Sequence, residues 1–578
     1  MSSRVRNRVC DRCIRKKVKC DLQRPDCSRC LEAGSPCTYS AERKKPGIIS
    51  PDAIEGLCLP QGEAGGFESF SLHDLIARDA PIAEVVHPNS QYPGYSLGRE
   101  QERDLLVHFF GEVHPAIPLF RIDHFLKKYD DGLAEKALLV AIVTVAAKVL
   151  SPISFWKPED VEQCMKFLLE TTSPETVSQD THNSLDSFRL ECLLAYYEFH
   201  QFPGSSSWMR ISRLARRAYS VGVNQVDNPE LCSAFDCTIT TEDEIEDWRY
   251  LFWCIYCLDS YSNISVGTPF VVELESINTA LARNPHDQAH GLPNSVSKIF
   301  LPDDIEDIWK TAKEIVSNGV MVNYNLHMVT TTTLRQAGYI MRLRALGKRL
   351  TTKKITTLKC ALATLRLSLP SRYLNPARNV LSGESCIDHH IRLTNILHLH
   401  MAHLIIAIPP RLDENEAEFM QNWLESLEPC QNIVSVVEHW DNQHSPRIDP
   451  AICLIAFTAL CFLELHRWST ADPTASLIAS LSHGQHLLLL FLEQFSSMWA
   501  VPRCLIQQFQ KVQDKYRDTR LTYAEIDQQL SRFKTPLHPK TLERSSAIST
   551  TAPDTNTNND TTMHIDDIWS FDVYDFSL

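Results

Sequence analysis

The residues best suited to chemistry lie at the start of the chain. Cys10, Cys13, Cys20, Cys27, Cys30 and Cys37 follow the spacing C-x2-C-x6-C-x6-C-x2-C-x6-C. The unit C-x2-C-x6-C occurs twice, which predicts two similar halves related by pseudo-symmetry. Soft thiolate ligands favour zinc over hard cations, and a closed structural zinc site takes four ligands. One ion would leave two thiols idle, whereas two ions need eight ligand positions from six sulfurs. Two bridging thiolates close that gap, so the pattern predicts two Zn2+ ions per chain. So short a peptide has little core, and metal binding should supply most of its folding free energy. A disulfide knot is the poorer reading for a chain expected to be intracellular.

The two halves differ in charge. Ile14, Arg15, Lys16, Lys17, Val18 and Lys19 separate Cys13 from Cys20, while Leu31–Pro36, between Cys30 and Cys37, contains no basic residue. Only the first half suits phosphate. Its C-x2-C turn should lead into a short helix that presents Arg15, Lys16, Lys17 and Lys19 away from the metal. Such a helix fits the major groove of double-stranded DNA, where Lys donates to guanine O6 and N7. Arg43-Lys44-Lys45-Pro46 continues the basic stretch and suits a phosphate footprint, a nuclear-import signal or a solvated charge cluster equally well.

The rest of the chain must hold and regulate this head. Of 578 residues, 44% are hydrophobic and 22% charged, an ordinary globular balance with material for a large core. Residues 1–50 carry a net charge of +8 and the remainder −22. A basic head on an acidic body points the head at a polyanion. The pattern divides into a Cys-rich unit at 8–40, a Pro/Gly-punctuated linker at 41–98 without heptads, a helical body at 99–535 and a tail at 536–578. In the body, Leu358, Leu362, Leu365 and Leu369 mark one helix face that stops before Pro370. Ala137–Leu150, Ile396–Ile408 and Leu487–Leu492 read as further helices. Alternating strand patterns are scarce, so the fold class is mainly α. Apolar runs stop at Lys148 and Glu464, and the Arg-rich start lacks an apolar stretch. No membrane span and no secretory signal are expected. The tail is Ser/Thr/Asn-rich and reads as disordered. It ends in interleaved acidic and apolar residues, including Asp566, Asp567, Trp569, Phe571, Asp572, Tyr574 and Phe576. That composition suits an activation segment or a tail that docks its aromatics on the body.

Other constellations read as packing. Cys254 and Cys257 sit among Phe252, Trp253 and Leu258, with no second pair nearby. His389, His390, His398, His400 and His403 lack the H-E-x-x-H pattern of a metal helix. No P-loop, dinucleotide fingerprint or nucleophile elbow occurs. A metal-dependent enzyme with a zinc-stabilised head would need catalytic residues that the body does not show, so no enzyme activity is expected.

Residues 10–37 resemble the fungal binuclear zinc-cluster DNA-binding domain. Cys10-Asp11-Arg12-Cys13, Lys16-Lys17-Val18-Lys19-Cys20 and Pro25 before Cys27 match its pattern. The resemblance implies bridging by Cys10 and Cys27, with Cys13 and Cys20 completing one zinc site and Cys30 and Cys37 the other. It also implies base reading by Lys17, with Lys16 beside it and Arg15 on phosphate, on CGG triplets that are often paired. Ile14 replaces the Arg usual after the second cysteine, a position of backbone contact, and leaves the metal ligands intact. In the body, His114-Pro115 with Pro118–Phe120, Ser207–Ile211 through Val223, and Arg249–Trp253 through Phe270 are similar to the fungal-specific transcription-factor regulatory region; Trp248 departs from its usual basic residue. The resemblance implies a nuclear, zinc-dependent activator of one pathway, with secondary metabolism preferred and the transcription machinery as partner. A repressor or partner-dependent regulator of a catabolic pathway is the alternative. It further allows a homodimer through the helical body and a small-molecule or protein effector.

Overall fold

The computed structural model describes residues 20–21, 27–32, 92–150, 153–172, 184–228, 230, 241–283, 297–319, 321–346, 352–412, 415–469, 475–516 and 520–532. The chain forms two compact units, Met1–Ser69 and Phe70–Leu578. In the first, the described helix is α1 (Ser28–Glu32). In the second, α2 (Arg99–His108), α3 (Ile122–Asp130), α4 (Lys136–Val149), α5 (Pro158–Thr171), α6 (Leu185–Gln201), α7 (Ser205–Ser220) and α8 (Glu242–Val266) come first. Then follow α9 (Ile308–Asn318), α10 (Val322–Ala345), α11 (Thr352–Ser368), α12 (Cys386–Ala407), α13 (Glu416–Glu425) and α14 (Leu427–Val437). The series closes with α15 (Ile452–Ser469), α16 (Ala475–Ser496), α17 (Ala500–Tyr516) and α18 (Tyr523–Arg532). No strand occurs among the described residues.

Each long helix follows from its sequence. α8 begins at a capping box: Thr241 Oγ1 accepts from Glu244 N at 3.3 Å, and Glu244 Oε2 accepts from Thr241 N at 3.1 Å. It ends at Gly267, which adopts φ 71°, a left-handed cap suited to glycine. Along α11 Leu358, Leu362 and Leu365 face the core, as does Leu369 just past its end. α4 is apolar nearly all round and correspondingly buried. α10 packs most extensively along α12, and α15 lies against α14 and α16.

Three expectations need correction. The helix expected at Ile396–Ile408 begins at Cys386, ten residues earlier, because its polar residues find tertiary partners. Glu464 does not interrupt an apolar run but lies buried within α15, paired with Arg467 and Gln485. α15 is therefore the one described helix long and apolar enough to cross a membrane by length and composition, and 83% of that stretch is buried in the core. Finally, part of the segment read as linker packs on the body: Tyr92 meets Phe167 edge-on, Tyr95 meets Trp156, and Trp156 Nε1 donates to Gly94 O at 3.0 Å. Linker residues 41–91 and the tail, with Asp566, Asp567, Trp569, Phe571, Asp572, Tyr574 and Phe576, lie outside the described residues.

Candidate metal centre and nucleic-acid interface

The structure brings Cys20 and Cys27 together from two separate segments. Their sulfurs and the Asp21 carboxylate lie within 4.8 Å of one another. Both cysteines are buried, as is Cys30, one turn along α1. Cys27 O starts that helix by accepting from Cys30 N at 2.9 Å and Leu31 N at 3.0 Å. None of the described cysteines forms a disulfide.

Convergent, buried sulfurs of this kind fit zinc, whose bonds to sulfur of about 2.3 Å place two ligands about 3.8 Å apart on a tetrahedron. Asp21 is the addition that spacing could not reveal. Its carboxylate accepts from Ser28 N at 3.2 and 3.3 Å, tying the Cys20–Asp21 segment to the start of α1. Such a partner fixes the ligand-bearing segments relative to each other. Its only sequence signal is adjacency to Cys20. Cys10, Cys13, Cys37, Arg15, Lys16, Lys17 and Lys19 lie outside the described residues.

In the second unit the motif residues build scaffold. Arg249 is fully buried: its Nε donates to Asp227 Oδ2 at 2.9 Å, and its Nη1 to Glu246 at 2.6 Å. Burial alone would raise the Asp227 carboxyl, but the Arg249 guanidinium and Lys298 hold it below its ordinary range. Asp259 accepts from Val271 N at 3.0 Å, Val272 N at 3.1 Å and Arg335 Nη1 at 3.0 Å, fastening the Gly267–Phe270 turn to α10. Trp208 Nε1 donates to Asn263 Oδ1 at 3.0 Å, joining α7 to α8. Trp248 is buried against Phe188, which explains why an apolar residue is tolerated there.

Three histidines of α12 are structural too. His389 Nε2 donates to Pro376 O at 2.8 Å, and His390 links Cys386 O to Asp441 N. His398 and His327 share the Tyr261 hydroxyl at 3.1 Å each. Cys257 lies 3.9 Å from the Met328 sulfur, and Cys254 is in the core. Among the described residues, no other trio of His, Cys, Asp or Glu converges as a metal site.

Residues 8–46 match the fungal Zn(2)-Cys(6) binuclear cluster domain, and residues 106–341 match the fungal specific transcription factor domain. In both regions the chain is similar to the fungal zinc-cluster transcription factors. The match over residues 8–46 implies zinc binding by the cysteine unit. The chain is 26% identical over 275 residues to the azaphilone cluster-specific transcription factor of Aspergillus niger, across 44% of this chain and 57% of that one. It is 20% identical over 354 residues to the citrinin biosynthesis transcriptional activator of Monascus ruber, across 52% and 68%. The abscisic acid cluster transcription factor of Leptosphaeria maculans is 22% identical over 324 residues, across 44% and 53%. The chain thus spans between about half and two thirds of the length of these curated relatives. No solved structure matches it.

Proposed function

We propose that this chain acts in the nucleus as a zinc-dependent, RNA polymerase II-type activator of one biosynthetic gene cluster, with secondary metabolism preferred. The observation that carries the reading is the pairing of matches to both domains in one chain, several of whose relatives are named for single biosynthetic clusters. Two zinc ions on six cysteines, Cys10 and Cys27 bridging, would order the head. Arg15, Lys16, Lys17 and Lys19 would then enter the major groove at a CGG triplet, phosphate contacts setting register and base contacts setting sequence. The acidic-aromatic end, Asp566–Phe576, would recruit the transcription machinery.

The test is a titration of the zinc-loaded full chain against a CGG-containing duplex and a scrambled duplex at one stated salt concentration. A clear preference for CGG is expected; equal affinity on both overturns direct readout. Transcript profiling after gene deletion tests the activator role. Loss of messages from one contiguous gene set is expected, and a rise in those messages would make the protein a repressor.

A further inference from the structure

We propose that the cleft between the first turn of α10, the 371–384 loop and the start of α12 binds an amphipathic organic acid, a molecule with an aromatic or alkyl body and one carboxylate or sulfonate. The cleft measures about 1310 Å³, ample for a small-molecule site. Phe110, Pro115, Pro118, Ile122, Val322 and Ile391 give it apolar walls.

Its charges do not cancel. Five ionised side chains line it: Arg372, Arg378, Glu384, Asp388 and Arg392. Buried Arg392 is consumed by Glu384 and by the carbonyls of Tyr373, Asn375 and Ala377. Asp388 accepts from Ser385 at 2.6 Å, and Arg378 holds its own loop through Glu384 O at 2.9 and 3.0 Å. Arg372 is exposed in the cleft, and its guanidinium has no partner among the described residues. His114 adds no charge of its own, since burial pushes it down to about 3. An anion is the complement of this rim.

The inner end is incomplete as it stands. The Tyr324 hydroxyl is buried without a hydrogen-bond partner. Tyr324 and Pro118 also wall a chamber of about 40 Å³, into which Tyr196 contributes a second unpartnered hydroxyl. Tyr196 is 1% exposed. Buried hydroxyls without partners are costly, and they call for a bound acceptor or a water. At the mouth, Met321 adopts φ 48°, making it the one non-glycine residue among those described with left-handed backbone. Local strain of this kind gathers at ligand sites. Only the regulatory consequence of binding rests on the function proposed above.

The probe pair is 8-anilinonaphthalene-1-sulfonate and its uncharged ring analogue N-phenyl-1-naphthylamine, titrated by fluorescence into the full chain without DNA. Arg372→Gln should weaken the sulfonate about tenfold, the loss of one charge-assisted hydrogen bond, and leave the neutral dye within about twofold. Tyr324→Phe should fold normally and weaken either dye only where its ring reaches the inner end. Undiminished sulfonate binding by Arg372→Gln, or equal loss of both dyes, overturns the proposal. Discrimination of the CGG duplex is measured separately, so its failure would strike the proposed function and leave this result standing.

Discussion

Cys27 is the residue on which the head turns. It stands beside Cys20 in space and opens the helix that carries Cys30. Cys27→Ala should release both zinc ions if its sulfur bridges, as read by a colorimetric zinc-release titration. One tightly held ion would instead assign it to a single site. Lys17→Ala should cost about 1–3 kcal/mol of discrimination between CGG and scrambled duplexes; equal loss on both would move Lys17 to phosphate. The convergence of Cys20 and Cys27 was legible because metal ligation is governed by residue type and short spacing. Asp21 and Arg372 were not, since the value of each comes from what it meets in space. Arg335 and Asp259 lie 76 positions apart and meet only in the fold.

At the scale of elements, periodicity revealed α11 well, because Leu358, Leu362 and Leu365, with Ala361, carry the buried face. It revealed only the second half of α12, where the first half buries His389, His390, Arg392 and Asn395 through hydrogen bonds to other segments. Glu464 misled for the same reason, since a buried carboxylate with two partners looks like a break. Close helix contact is likewise invisible in sequence. A Cβ on Gly338 of α10 would come within 2.9 Å of Ile264 Cγ1 on α8. Gly338→Ala should therefore lower stability by about 1–3 kcal/mol, although alanine is the better helix former by about 1 kcal/mol. Urea denaturation checks the sign, and a stabilised variant would show that α8 yields easily.

The whole molecule carries its pH dependence in buried imidazoles. Burial pushes His114 and His466 down to about 3 and lowers His398 well below its ordinary value. The native body excludes protons that the unfolded chain takes up below about 6.5. This stability is complete above that pH and is lost as pH falls toward about 3, at about 1.4 kcal/mol per pH unit for each histidine. Glu135, raised to about 7 by burial, pulls the other way. The melting temperature should fall between pH 7 and pH 5, followed by tryptophan emission. The first tryptophan is Trp156 and all but Trp569 of the tail lie in the body, so that signal reports chiefly on the body and is silent about the cluster. A flat profile would show the histidines to be protonated in place.

α10 also separates ancestry from cohesion. The family match stops at residue 341, four residues short of the helix end at Ala345. Just beyond that point Arg344 donates to Ile405 O and Ile408 O at 2.9 Å each, clasping the end of α12. Farther off, Arg447 grips Glu112 at 2.6 and 2.9 Å, and Ala500 N donates to Gln201 Oε1 at 3.1 Å. A fragment trimmed to 106–341 would thus keep its pedigree and lose its keystone, with the apolar flank of α10 laid bare to other chains. The smallest piece able to stand alone should reach from Tyr92 into α18, whose Ile526 is fully buried in the core, and limited proteolysis at the two ends should cut outside those limits first.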